Sequence, residues 1–211
     1  MTIETGVSLS RFTTLGTGGS ARAFARPQSV DELREALVWA AAEGMDAVPI
    51  GLGSNLLVAD EGVDALVLKL AGELAAVEVD ETILRAGGGA ANAVALHRAR
   101  AAELGGFEFA CAIPGTAGGG VRMNAGAYGG DWAGVLERAL VVSADRSAWR
   151  TPAELGLRYR RSDLRTGEVV AQVEFSLEPR PPAGDRGCRR TEPRARGRRR
   201  TARARAGEPQ R

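Results

Sequence analysis

The stretch that decides the fold is Ile113-Pro114-Gly115-Thr116-Ala117-Gly118-Gly119-Gly120-Val121-Arg122-Met123-Asn124-Ala125-Gly126-Ala127-Tyr128-Gly129. Six glycines fall within these seventeen positions, beside Ile, Val, Met and Tyr. A flexible linker mixes Gly with Ser and lacks the apolar residues. Glycine here serves positive φ, or a backbone that must lie very close to something else. One implication is a main chain pressed against a flat or phosphorylated cofactor. The other is a set of tight turns between strands.

A second loop lies upstream, in Val48-Pro49-Ile50-Gly51-Leu52-Gly53-Ser54-Asn55-Leu56-Leu57-Val58. An apolar run ends in Gly-x-Gly-Ser-Asn, and a second apolar run follows. Successive N–H groups in such a turn form a nest for an anion, aided by the Ser hydroxyl and the Asn amide. A pyrophosphate suits it. The dinucleotide fingerprint fails, because Leu56 stands where its third glycine belongs. The Walker loop fails as well. It needs Gly-Lys-Ser/Thr, and the one lysine of the sequence is Lys69.

Length and apolar content allow one large or two small domains with a sizeable core. No signal peptide or membrane-spanning stretch is expected, and the expected compartment is the cytoplasm. Cys111 and Cys188 lie far apart without ligand spacing. They argue against a disulfide framework, and Cys111 is expected to be a small buried thiol. The net charge of +2 hides a division: residues 180–211 carry 12 arginines against 3 acids, so residues 1–179 carry −7. Residues 180–211 lack every large apolar residue, which predicts a disordered tail. A nucleic-acid arm, a solvated linker and an out-of-frame product all fit that composition. No aromatics interleave with the arginines, so a nucleic-acid partner is not expected.

The coarse pattern is βαβ followed by a strand-rich half. Expected strands are 21–25, 48–50, 65–70, 140–143, 148–150 and 169–177. A hairpin over 76–79 and 82–85 is expected to turn at Asp80-Glu81. Ser29-Val30-Asp31-Glu32 reads as a capping box. It opens a helix with Val30, Leu33, Leu37 and Ala41 on one face, ended by Gly44. A second helix is expected over about 90–104, and one helical turn over 152–155. His97 is expected to be partly exposed. The fold class is α+β, two small lobes around one cofactor.

Five blocks in order carry a resemblance: Thr13-Thr14-Leu15-Gly16-Thr17-Gly18-Gly19-Ser20-Ala21; Gly51 to Leu57; Ile113 to Gly119; Met123 to Gly129; and Tyr159-Arg160-Arg161-Ser162. Together they resemble the UDP-N-acetylenolpyruvoylglucosamine reductases over about residues 10–178. The resemblance implies a p-cresol-methylhydroxylase-type FAD-binding domain at 10–179, with lobe one about 10–72 and lobe two about 73–179. It implies non-covalent FAD, NADPH as reductant and UDP-N-acetylglucosamine enolpyruvate as substrate, reduced to UDP-N-acetylmuramate for peptidoglycan. Cofactor contacts are implied at Gly51, Gly53, Ser54, Asn55, Leu56, Gly115, Thr116, Gly118, Gly119, Asn124 and Gly126. Asn124 also fits a plain turn. Arg160 falls on the family's active-site arginine, suited by its fork to a substrate carboxylate. Ser162 either holds Arg160 or caps a turn, and Tyr159 reads as packing. The family's proton-donor block, Gly-Ser-x-Phe-Lys-Asn-Pro, and its late glutamate have no counterpart in this sequence, so impaired turnover is expected. A flavin oxidase of the same fold and a non-catalytic FAD-binding module are the competing readings.

Overall fold

The computed structural model describes residues 1–180; the expected tail lies almost wholly outside them. Lobe one is built from β1 (Ile3–Ser8), β2 (Ser20–Ala25), α1 (Val30–Ala42), β3 (Ala47–Pro49) and β4 (Val63–Leu68). Its sheet runs β1-β2-β4-β3, with β1 antiparallel to β2 and the other pairings parallel. The edge strand β1 lies ahead of the resembling region and was not expected.

Strand β4, Val-Asp-Ala-Leu-Val-Leu, is apolar on both faces because both faces are covered. Leu66 and Leu68 pack under α1, while Val67 joins Phe24, Leu9, Ile50 and Val58 on the other side. A register shift between Ala21 and Ala23 breaks the alternation of β2. Ala21 thereby joins the Phe24 cluster, and Ala23 turns toward α1.

Helix α1 begins where the capping box predicted. The Ser29 hydroxyl accepts the Glu32 N–H at 3.2 Å. The Glu32 carboxylate takes the Gln28 N–H at 2.8 Å, one residue before the cap. The buried face is Leu33, Ala36, Leu37 and Ala40. Val30 is only half-buried and Ala41 is exposed. The face is shifted because α1 meets two sheets: its cluster includes Val142, Val169 and Ala171 from lobe two.

Lobe two holds β5 (Val77–Asp80), β6 (Ile83–Gly87), α2 (Asn92–Ala101), β7 (Leu104–Gly105), α3 (Ala117–Arg122), β8 (Gly126–Ala127), β9 (Gly130–Asp131), β10 (Leu136–Val142), β11 (Ser147–Arg150), β12 (Val169–Ser176) and β13 (Glu178–Pro179). Its five-stranded antiparallel sheet runs β11-β10-β12-β6-β5. The hairpin turn falls at Glu81-Thr82, one residue later than expected, with Glu81 at φ 52°. Helix α2 ends three residues short of the expected limit, where Glu103 adopts φ 55°. Residues 152–155 lie in a turn, braced by the Glu154 carboxylate on the Thr151 N–H and hydroxyl. Cys111 is exposed and is not a free thiol, contrary to the expectation of a buried one.

The centre of lobe two is Trp132, fully buried. It sits edge-on to Phe107, Phe109 and Phe175, with centroids 5.5, 5.5 and 6.0 Å away. Gly120 of α3 lies directly on its ring. A Cβ at Gly120 would fall 2.3 Å from Trp132 Cε2. Gly120→Ala is therefore expected to destabilise the chain by about 1–3 kcal/mol through overpacking, despite alanine's better helix propensity. Thermal unfolding followed by circular dichroism checks this, at about 2–4 °C for each kcal/mol in a domain of this size.

Candidate functional site

A cleft of about 340 Å³ separates the lobes. One wall is the end of β3 with Ile50 and Gly51. The facing wall is Thr116, Gly119 and Arg122 at α3, and residues 164–170 close the side. The two glycine-rich loops of the sequence thus meet across one cavity.

The first loop is anchored from behind. Gly53 is buried at φ +70°, and a Cβ there would fall 1.8 Å from the Phe12 carbonyl oxygen. The Thr14 N–H donates to the Gly53 carbonyl at 3.1 Å. With Gly53 fixed to residues 12–14, Ser54 and Asn55 stay exposed, and Leu56 packs at the edge of the Leu9 cluster. Gly51 faces Thr116: a Cβ at Gly51 would lie 2.9 Å from Thr116 Oγ1.

The second loop is not continuous loop, as its glycines had implied. Thr116 caps the short helix α3, its hydroxyl accepting the Gly119 N–H at 3.4 Å. Periodicity missed this helix because Ala-Gly-Gly-Gly has no apolar stripe. Gly118 packs on protein: its N–H donates to the Gly88 carbonyl at 2.9 Å, and a Cβ there would lie 2.9 Å from the same oxygen. Gly115, at φ +129°, and the exposed Gly119 are open. The nearest atoms to a Cβ at Gly115 would be Asn92 Nδ2 at 3.8 Å and Ser54 Oγ at 3.9 Å.

Asn92 was not anticipated. It is buried at the start of α2, where the preceding Ala91 supplies no side-chain cap. Its N–H donates to the Gly115 carbonyl at 3.0 Å and its Nδ2 to the Ile113 carbonyl at 3.2 Å. Its Oδ1 has no partner. A buried acceptor left unmade is costly, so this oxygen marks a place for a donor beside Gly115. No sequence signal marks it, because an Asn opening a helix is ordinary.

Arg160 sits at the tip of a turn closed by reciprocal backbone bonds between Arg158 and Arg161 at 2.9 and 3.0 Å. Its backbone is left-handed, φ 55°, a costly state for arginine. Its guanidinium donates to the Gly126 carbonyl at 3.1 Å, which ties the turn to the second glycine-rich segment. Ser162 neither holds Arg160 nor caps a turn. Its hydroxyl donates to the Arg122 carbonyl at the end of α3, at 2.8 Å. Asn124, at φ 37°, is held by its own neighbours: Nδ2 donates to Asp131 at 3.2 Å, and Oδ1 accepts the Ala133 N–H at 2.9 Å. Tyr159 is exposed, not packed.

The chain matches the family described as an FAD binding domain over residues 21–147. The chain belongs to that family. It is 44% identical over 173 residues to UDP-N-acetylenolpyruvoylglucosamine reductase 2 of Symbiobacterium thermophilum, covering 81% of this chain and 56% of that one. The reductase of Myxococcus xanthus is 41% identical over 179 residues, covering 83% and 58%. The chain thus spans little more than half the length of these relatives. The crystal structure of the reductase from Thermus caldophilus superposes with a TM-score of 0.75 at 36% identity, over 86% of this chain and 64% of that one. The 6-hydroxy-D-nicotine oxidase of Arthrobacter nicotinovorans shares the fold alone, at a TM-score of 0.56 and 16% identity. The expected α+β, p-cresol-methylhydroxylase-type architecture is the observed one. Among the described residues, no helix is long and apolar enough to cross a membrane, and no cluster of metal-ligand type occurs.

The side of the cleft is braced by charge. Arg150 forks onto the Glu168 carboxylate, with Nη1 on Oε2 at 3.1 Å and Nη2 on Oε1, and the Arg165 N–H adds 2.9 Å. The Arg150 hydrogen bonds hold the Glu168 carboxyl below its usual range, against an opposing effect of burial. A depressed folded pKa contributes stability above the unfolded value of about 4.3, and this is lost as pH falls through the folded value. Glu168→Gln is expected to lower stability at pH 7 by about 1–3 kcal/mol. The gap to the parent should narrow in acid, below about pH 4, as chemical unfolding at several pH values will read.

Proposed function

We propose that this chain binds FAD non-covalently between its lobes, with the Gly51–Asn55 loop on the pyrophosphate and the Pro114–Gly119 segment beside the flavin. The residues present fit the group. Ser54 and Asn55 are exposed polar groups on an anchored loop, Gly115 and Gly119 leave backbone open, and Asn92 Oδ1 awaits a donor. We assign the chain to the FAD-binding part of a UDP-N-acetylenolpyruvoylglucosamine reductase. In this assignment NADPH is the reductant, the enolpyruvyl ether is reduced to UDP-N-acetylmuramate for peptidoglycan, and the place of action is the cytoplasm. The same reading takes residues 10–179 as the FAD-binding domain, with the lobes dividing near residue 72.

Bound FAD supplies the two-electron carrier between NADPH and the enolpyruvyl ether. The chain's own residues orient the rest. Arg160 presents a two-pronged donor to the substrate carboxylate, where negative charge develops during reduction. The observation that carries this role is its left-handed backbone. A strained arginine, tied to Gly126 of the glycine-rich segment, aims a guanidinium from a rigid turn. No residue of the sequence lies in a Gly-Ser-x-Phe-Lys-Asn-Pro context, so the proton donor to the α-carbon is not assigned. The 211-residue chain by itself is accordingly expected to form UDP-N-acetylmuramate only at a trace rate, since losing a positioned acid costs about 10²–10⁴-fold.

Two variants test the reading in the full chain. Gly119→Leu meets little protein, because the nearest atom to a Cβ there is Thr116 Oγ1 at 3.5 Å. It should unfold like the parent yet bind FAD at least about tenfold more weakly, as flavin fluorescence titration will read. An unchanged FAD affinity removes the cleft from consideration. Arg160→Gly should unfold within about 1 kcal/mol of the parent, because relieved strain offsets a lost exposed hydrogen bond. It should keep FAD but lose the flavin spectral shift that UDP-N-acetylglucosamine enolpyruvate produces in the parent. An equal shift in both proteins assigns Arg160 to the turn alone.

A further inference from the structure

The phosphate loop lacks a lysine in sequence, and the fold brings one to it. Strands β2, β3 and β4 run parallel and end together at Ala25, Pro49 and Leu68. Open sheets of this kind place ligands beyond the carboxyl ends of their strands. Lys69 is the residue after β4, and its N–H donates to the Ala25 carbonyl at 3.0 Å. Its Nζ donates to the carbonyl of Gly51, the first residue of the loop. We propose that Lys69 supplies the counter-charge for the cofactor's phosphates at the Gly51–Asn55 loop, a role that rests on the FAD reading above.

Charge balance supports this. Lys69 is half-buried, and among the described residues its ammonium has no carboxylate partner. Gly51 O is the one hydrogen-bond acceptor its Nζ reaches among those residues, which leaves two N–H donors for a ligand. The nearby charge that acts on it is another cation, Arg26, which lies over the Phe12 and Phe24 rings at 5.5 and 5.4 Å and likewise has no carboxylate partner there. Burial and Arg26 both lower the pKa of Lys69, so the free chain holds uncompensated positive charge at this edge. A partly desolvated cation without a counter-ion is unfavourable, and a dianionic pyrophosphate relieves it. The residue type fits as well. The sequence has 27 arginines and one lysine, and the compact ammonium can serve one carbonyl and a phosphate together.

The test uses the full chain, with FAD and inorganic pyrophosphate as probes. Lys69→Gln keeps an N–H for Gly51 and removes the charge, whereas Lys69→Met removes both. The proposal expects Lys69→Gln to weaken FAD and pyrophosphate about 10- to 100-fold, with a flatter salt dependence and partial recovery in Lys69→Arg. It also expects both probes to slow acetylation of Lys69 by an amine-selective ester. The Met1 amino group is the internal control, since no other primary amine is present. Parent-like affinity and salt dependence in Lys69→Gln would reduce the lysine to a brace of the loop and overturn the charge role. Acetylation unaffected by either probe would overturn it too. A parent chain that fails to bind FAD overturns the functional reading itself, whereas a parent that binds FAD beside an unaffected Lys69→Gln overturns this inference alone.

Discussion

Backbone lying on backbone, or on a ring, without a side chain between is the constraint on which the rest of the structure depends. Among the contacts where it acts, the ones that shape the cleft are Gly53 on the Phe12 carbonyl, Gly118 on the Gly88 carbonyl and Gly120 on the Trp132 ring. Each would be closed by a single methyl group. Gly53 fixes the first loop from behind, which leaves Ser54 and Asn55 facing out. Gly118 holds α3 against the end of β6, and Gly120 seats α3 on the aromatic core. The open glycines, 115 and 119, are placed by the closed ones. The cleft has its shape because the neighbouring glycines are already in contact with protein.

Helix α1 joins the lobes by packing Leu33, Ala36, Leu37 and Ala40 between two sheets. The cleft therefore lies beside an apolar interface that ties the two lobes together. On its open side, the Arg150–Glu168 fork fixes residues 165–168, and Arg122 bonds the Leu164 carbonyl at 2.9 Å. Arg160 and Ser162 add two more ties, to Gly126 and Arg122. Residues far apart in the chain are thereby held within one rigid rim, the arrangement that positioning chemistry requires.

Much of the fold was legible. Alternating or continuous apolar runs marked β2, β4, β6 and β12, and the capping box marked the start of α1. These signals are local, carried by residues within one or two turns of each other. The misses share a cause. Strand β1, Ile-Glu-Thr-Gly-Val-Ser, is a thinly apolar edge strand defined only by its partner. Helix α3 has glycine where a stripe should be, and its helicity comes from the Thr116 cap and the Trp132 surface. The face of α1 shifted because a second sheet, absent from local reasoning, also packs on it.

For the candidate site, the sequence by itself marked two segments, the Gly51–Leu56 loop and the Ile113–Gly129 stretch, because clustered glycines among apolar residues state a local requirement of the backbone. The Tyr159–Ser162 turn carries no such signal and entered through the family resemblance alone. Only the tertiary structure decided what each residue touches. It set Gly53, Gly118 and Gly120 against protein, drew the Asn124 amide to Asp131 and Ala133, and bonded Ser162 to α3 and not to Arg160. It also introduced Asn92 and Lys69, which no motif contained. The physical reason is distance along the chain. Lys69 meets Gly51 across 18 positions, Arg160 meets Gly126 across 34 and Ser162 meets Arg122 across 40. Hydrogen bonds and counter-charges form between whatever the packed core brings together, and a linear pattern carries no record of that.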